Sequence, residues 1–250
     1  GDIDAVQLSE AIVTGLMQAD TLRMRFTEDN GEVWQSVDET LTFAAPAIAD
    51  LRQQGDAHSA ALALMQADLA QNLRVESGKP LVHHQLIRVG ERRWYWYQRY
   101  HHLLVDGFSF PAITRQIAAI YNAWRRGEPT PASPFTPFAE VVEEYQRYQG
   151  SDAFTRDAAF WAEQRRALPP PVSLSSEPLP GRAATTDILR LNVAMEHITF
   201  RRLSQAMAST TPADLALALV ALWLGRLCGR TDYAAGFIFM RRMGSAALTA

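Results

Sequence analysis

Apolar residues recur at helical spacing at the start of the chain. Val6, Leu8, Ile12, Val13, Leu16 and Met17 predict an amphipathic helix within 1–19. The period then shortens: TLRMRFTEDNGEVWQSV alternates apolar and polar positions and turns at Asp29-Asn-Gly31, the pattern of a β-hairpin. Leu62, Met65, Leu69 and Leu73 return to the helical period over 58–73 and predict that those four side chains share the buried face. PLVHHQLIRV (80–89) and RRWYWYQRYHHLL (92–104) read as two strands joined at Gly90-Glu91. Ser109 is the expected cap of the next helix, with Pro111 tolerated in its first turn and Ile113, Ile117, Ile120, Tyr121 and Trp124 as its buried stripe, up to Gly127. A proline-rich crossing at 128–137 precedes helices near 137–149 and 152–167. Residues 168–186 (LPPPVSLSSEPLPGRAATT) carry five prolines and no apolar period, which marks a linker. Beyond it the pattern predicts a strand (187–196), helices at 199–208 and 212–228, and a strand at 233–241. Strands alternating with amphipathic helices define an α/β (α+β) chain in two parts, 1–167 and 187–250.

Composition changes this picture little. A net charge of -3 provides no basic field for nucleic acid or an anionic membrane. One cysteine, Cys228, rules out an internal disulfide and fits a reducing compartment, so the expected location is cytoplasmic. The most apolar run, LALALVALWLGRLC (215–228), is too short to span a bilayer and is interrupted by Gly225 and Arg226. It is expected to be a buried helix entered through Ser209-Thr-Thr-Pro-Ala-Asp214. The chain starts at Gly1 and ends in MGSAALTA, which gives the expectation of a piece of a longer protein.

The candidate chemistry lies in RYHHLLVDGFSF (99–110). If the strand runs through the histidines, His101 and His102 point to opposite faces. Trp94, Trp96, Gln98, Tyr100 and His102 would then share one face, and an imidazole there could accept a proton from an attacking amine or alcohol at cellular pH. Asp106 could be a base, a helix cap or the partner of Arg23 or Arg25, and Gly107 lets backbone approach a ligand. Packing is the plainer reading of a His-His pair beside aromatics. A metal site would need His101 or His102 with Asp106 and a histidine from His83-His84, but adjacent strand residues diverge and no third ligand stands at a characteristic spacing. The chain has no P-loop, GxGxxG, GxSxG or CxxC.

HHLLVDG fits HHxxxDG at the end of an aromatic strand and the opening of a helix, and the chain resembles the condensation domains of nonribosomal peptide synthetases. QADTLRMRF (18–26) is similar to that family's RHExLRTRF block, with Gln-Ala-Asp in place of Arg-His-Glu. FTPFAEVVEEYQRYQGSDAFTRDAAFWAEQRRALP resembles the helical block that precedes its linker.

The resemblance implies a chloramphenicol-acetyltransferase-like fold of two lobes with a tunnel between them. The first lobe would be nearly whole here, 168–186 the linker, and 187–250 the start of a truncated second lobe. It implies an amide-forming acyltransferase without a bound cofactor, whose substrates arrive on phosphopantetheine arms. Its partners would be a donor aryl or acyl carrier protein, an acceptor peptidyl carrier protein and an adjoining adenylation domain, with no nucleic acid and no membrane. Within the family the likeness implies an aryl acid joined to carrier-bound serine in catechol siderophore synthesis. Carried over by position, His102 lies at the reacting centre, His101 supports it, Asp106 is salt-bridged to Arg23, and Gly107 contributes backbone. Phe108 stands where the family usually has Trp. Epimerisation, ester formation and non-catalytic carrier docking stay open as alternatives on the same fold. Heterocyclisation would need aspartate where this chain has histidine. Residues 1–250 alone are expected not to turn over.

Overall fold

The computed structural model describes residues 2–71, 73–75, 78–174, 197–206, 210–238 and 244–249. Contacts divide the chain into a unit running to Gly150, which the closing stretch of the chain rejoins, and a second unit, Ser151–Met240. The boundary falls ahead of the helix that follows Gly150, whereas the proline pattern places a linker at 168–186; residues 175–186 of that linker lie outside the described residues.

In the first unit, helix α1 (Ala5–Met17) starts where the Asp4 carboxylate accepts the Gln7 N–H at 3.0 Å, a helix cap. A short 3₁₀ turn, Asp20–Arg23, feeds the antiparallel hairpin of β1 (Met24–Asp29) and β2 (Glu32–Val37). Asn30 and Gly31 take φ of 52° and 81°, the left-handed pair that a tight hairpin turn requires. The hairpin is as predicted.

A three-stranded sheet follows, in the order β3-β4-β5, from Ala47–Asp50, Val82–Gly90 and Arg93–Tyr100. β3 runs parallel to β4, and β4 antiparallel to β5. Helix α2 (Ala57–Leu69) connects β3 to β4, and α3 (Ser109–Arg125) and α4 (Phe138–Gln149) follow β5. The two sheet faces have different covers. Leu86, Trp94, Trp96 and Tyr100 join Ile12 and Leu16 of α1 and Ile113 and Ile117 of α3 in the main core. Ile87, Tyr95 and Tyr97 point the other way, onto Ala61, Leu64 and Met65 of α2. Alternating side chains along β5 thus bury two layers at once, as period two demands.

The structure adds one strand to those read from the sequence and corrects one expectation. β3 carries no pattern long enough to announce a strand; its four residues are recruited by pairing with β4. The buried face of α2 is different from the one expected, because Leu62 and Leu69 are exposed and Ala61 is the helix residue buried against Ile87 and Tyr97 of the sheet. A small residue lets the helix lie against Tyr97 and Ile87; a leucine there would hold it away.

Helices α1 and α3 meet at Gly15, where a Cβ would overlap Cγ1 of Ile117. Ile117 is fully buried, so relief requires the helices to part. Gly15→Ala in the full-length protein is expected to cost about 1–3 kcal/mol, visible as a lower thermal midpoint; an unchanged midpoint would show that the contact is soft.

The second unit contains α5 (Asp152–Ala167), α6 (His197–Ala206) and α7 (Pro212–Leu227). The Ser151 hydroxyl accepts the Phe154 N–H at 3.3 Å, and the Thr211 hydroxyl accepts the Asp214 N–H at 3.1 Å. With Pro212 in its first turn, α7 starts as the sequence predicts. Its expected burial does not follow: among its residues Leu215 and Gly225 are buried, while Leu217, Leu219, Val220, Leu222 and Trp223 are exposed. Cys228 is half-buried, its thiol directed at the Ser173 carbonyl at 3.6 Å. The predicted strand at 187–196 lies outside the described residues. Over 233–238, the described part of the last predicted strand, the recorded pairing is a single bridge from Ala234 to Pro171.

Candidate active site

The RYHHLLVDGFSF segment joins β5 to α3, and its geometry differs from the strand reading. Ladder pairing stops at Tyr100, opposite Val82. The His101 N–H bonds the Leu81 carbonyl at 2.9 Å, and the Leu104 N–H then bonds the His101 carbonyl at 3.0 Å, turning the chain. His101 and His102 therefore sit in a turn, and strand alternation does not govern them. His101 is half-buried and its Nδ1 accepts the Leu103 N–H at 3.2 Å. That bond places the ring proton of neutral His101 on Nε2. The His102 side chain is exposed. Two residues beyond His102, Leu104 is buried in the main core and pins the turn.

Asp106 closes the turn. One carboxylate oxygen accepts the N–H groups of Phe108 and Ser109, each at 3.0 Å, and the Ser109 hydroxyl at 2.9 Å. Asp106, ahead of the cap position at Phe108, thus supplies the side-chain bonds at the start of α3, and Ser109 is already the first helical residue. The reason is reach: an Asp side chain folds back on N–H groups two and three residues ahead more readily than a shorter serine. Asp106→Ala is expected to cost about 1–2 kcal/mol in thermal unfolding, with Asp106→Asn, which keeps an acceptor oxygen, losing less; equal loss in both would point to the charge instead. Gly107 is exposed and lies inside this capping turn.

The expected Arg23–Asp106 pair is replaced. Arg23 is bonded to Asp20 at 2.7 Å, because both lie in one 3₁₀ turn where residues three apart stand side by side. Asp20 in turn accepts the Phe138 N–H at 3.1 Å, fastening the start of α4. Arg25 is bonded to Asp38 at 2.9 Å. Hydrogen bonds from Thr40 and Arg25 hold the Asp38 carboxyl at about 2.

Two clusters behind the turn escaped the sequence reading. On the main-core face, His84 is 5% exposed and accepts the Trp96 indole N–H at Nδ1, 3.1 Å away. Burial, with a smaller contribution from His83, pushes its imidazole down to about 3. On the opposite face, Asp68 gathers Tyr97, His83 and Arg99. The metal reading asks for His101 or His102 with Asp106 and one histidine of the His83-His84 pair. His83 and His84 lie on opposite faces of β4, and among the described residues no group of three or more His, Cys, Asp or Glu is placed to hold an ion. A recess beside the start of α3 is lined by Ala19, Phe108, Ser109, Ala112, Ile113 and Phe135. No described helix is long and apolar enough to cross a membrane.

The condensation-domain family model matches residues 1–250, and the chain belongs to that family of acyl-transferring enzymes of nonribosomal peptide synthesis. It is 71% identical over 250 residues to enterobactin synthase component F of Escherichia coli (strain K12), covering all of this chain and 19% of that protein. It is 34% identical over 262 residues to vanchrobactin synthetase VabF of Vibrio anguillarum, again covering all of this chain and 9% of the relative. The chain therefore spans at most about a fifth of these relatives. Among solved structures, the first condensation domain of the calcium-dependent antibiotic synthetase, in complex with a substrate analogue, matches with a TM-score of 0.75 at 27% identity, covering 92% of this chain and 54% of that one. The starter condensation domain of rhizomide synthetase RzmA matches with a TM-score of 0.71 at 27% identity, over 97% and 55% of the two chains. These domains have the two-lobed chloramphenicol-acetyltransferase-like fold, and the fold class expected from the sequence holds.

Proposed function

We propose that this chain is part of a cytoplasmic condensation domain that joins a carrier-bound aryl or acyl group to a carrier-bound seryl amine in siderophore biosynthesis. The observation that carries the reading is the exposed His102 in a turn whose two ends are fixed by backbone bonds to His101 and Asp106. Similarity to enterobactin synthase component F supports the aryl donor and the seryl acceptor.

The chemistry balances without a bound cofactor. The acceptor amine nitrogen attacks the donor thioester carbonyl, and the tetrahedral intermediate expels the donor pantetheine sulfur. A C–N bond replaces a C–S bond, the nitrogen loses one proton, and the departing thiolate gains one. A thioester is already activated, and an α-amino group titrates near 8, so a sizeable share is nucleophilic unaided. His102 then serves to orient the amine and to hydrogen-bond the intermediate more than to strip a proton. Asp106 and His101 hold the turn, and Gly107 supplies backbone without side-chain bulk.

The test uses the full-length protein with a donor carrier loaded with an aryl acid and an acceptor carrier loaded with serine. Mass spectrometry of the acceptor arm is expected to show the aryl amide. Inverted aminoacyl stereochemistry without amide would select epimerisation, an ester product would select ester formation, and carrier binding without transfer would select docking. Residues 1–250 alone are expected to give no product.

A further inference from the structure

The His-His turn starts immediately after Tyr100 and ends just before Phe110, and those two rings meet across its mouth. Their centroids are 5.6 Å apart at 86°, an edge-to-face pair. Behind Tyr100 stands His84, edge-to-face with it at 5.2 Å and 88°. His84 is in turn fixed to Trp96 by the indole N–H bond and by ring contact at 5.8 Å. Trp96, His84, Tyr100 and Phe110 thus form an unbroken row of rings from the middle of the sheet to the first turn of α3. Tyr100 is also bonded through its hydroxyl to Gln98, at 3.2 Å, and Gln98 accepts the Thr114 hydroxyl of α3 at the same distance.

His84 is an unusual member of such a row. A leucine would fill the space, but it would leave the Trp96 indole N–H without this acceptor. Because Nδ1 accepts that proton, the ring is neutral with its own proton on Nε2, and that nitrogen is buried with no hydrogen-bond partner among the described residues. An unpaired buried donor costs stability, so a histidine at this place calls for a compensating role. Burial keeps the ring neutral at any working pH, which suits a fixed support and not a proton carrier.

We propose that His84 is a positioning residue for His102: through the Tyr100–Phe110 ring pair it sets the span of the turn, and so the place where the His102 imidazole is presented. This rests on the amide-forming reading of the site.

The test uses the full-length protein with carrier-loaded aryl and seryl substrates, and reads three variants. His84→Ala is expected to lower the turnover rate about 10-fold or more, because small misplacements of a reacting group are that costly, while KM for the acceptor carrier stays within about twofold. Tyr100→Phe, which keeps both ring contacts but loses the bond to Gln98, is expected to retain more turnover than His84→Ala. Phe110→Leu changes a partly exposed residue that folding tolerates and is expected to fall between the two. Hydrogen exchange read by mass spectrometry supplies a measure independent of activity. Amides of 101–110 are expected to exchange faster in His84→Ala and Phe110→Leu, with the β1–β2 hairpin unchanged. If both variants keep wild-type turnover and wild-type exchange across the turn, the proposal fails, and His84 only packs. Should His84→Ala not fold, Phe110→Leu decides by the same criteria. If the wild-type protein makes no amide, the functional reading fails separately, and the exchange data still decide whether His84 holds the turn.

Discussion

Replacing His102 by alanine is expected to slow amide formation about 10²-fold or more, equivalent to about 3 kcal/mol of transition-state stabilisation, with no change in the thermal midpoint. The two halves of that expectation come from the same geometry. His102 is exposed in a turn whose shape is set by other groups: Leu81 and Leu103 on His101, and Phe108 and Ser109 on Asp106. Removing its imidazole therefore takes nothing from the fold. It does take away a polar group at the place the family resemblance assigns to the reacting carbonyl. Single-turnover transfer between pre-loaded carriers isolates the chemical step from carrier release. His102→Asn provides a second point, since its amide still hydrogen-bonds but cannot accept a proton at neutral pH. If Asn restores most of the rate lost in Ala, His102 acts by orientation and hydrogen bonding. If Asn and Ala are equally slow, proton transfer carries the step. Wild-type speed in both variants would remove His102 from the reaction altogether.

The turn also shows where a sequence stops informing. Alternation in RWYWYQRY was legible because each face of β5 is buried, and period two survives wherever both faces have covers. The same logic continued through His101 and His102 misleads, since nothing local says that pairing ends at Tyr100; the ending is set by Leu81 on the neighbouring strand. The identity of the motif was readable, its backbone was not. Arg23 illustrates a related limit of one-dimensional reading. Two arginines on TLRMRF are equivalent as charges, and which carboxylate each meets depends on a 3₁₀ turn that pairs Arg23 with Asp20 and on a hairpin that brings Asp38 to Arg25. The α2 stripe failed for a packing reason: large apolar residues announce a face, but close helix–sheet contact selects the small one, Ala61.

Asp68→Ala is expected to destabilise the protein by about 3 kcal/mol, the largest stability effect among the substitutions considered. Asp68 closes α2 over the sheet: its carboxylate accepts the Tyr97 hydroxyl at 2.8 Å, faces His83 Nδ1 at 2.8 Å and Arg99 Nε at 3.0 Å, and its backbone carbonyl accepts from Arg99 as well. The Asp68 and Arg99 side chains are 13% and 12% exposed, so deleting the carboxylate strands a nearly dry guanidinium. Burial works against ionisation of Asp68, but Tyr97, His83 and Arg99 together outweigh it and lower its pKa. Burial, with the Asp68 carboxylate beside it, pushes the Tyr97 phenol up to about 12. A carboxylate with a depressed folded-state pKa stabilises fully above its unfolded value, near 4, and loses that contribution as pH falls through the folded value. Wild type should therefore lose stability relative to Asp68→Asn as pH drops below about 4, and the gap between them at pH 7 should close. Urea midpoints of the full-length protein at pH 7 and pH 3 measure this; a gap that stays constant with pH would mean that the carboxylate's charge contributes nothing. The effect bears on the site because Arg99 is the residue before Tyr100. A cluster on the face of the sheet away from the main core thereby anchors the end of the strand from which the histidine turn departs.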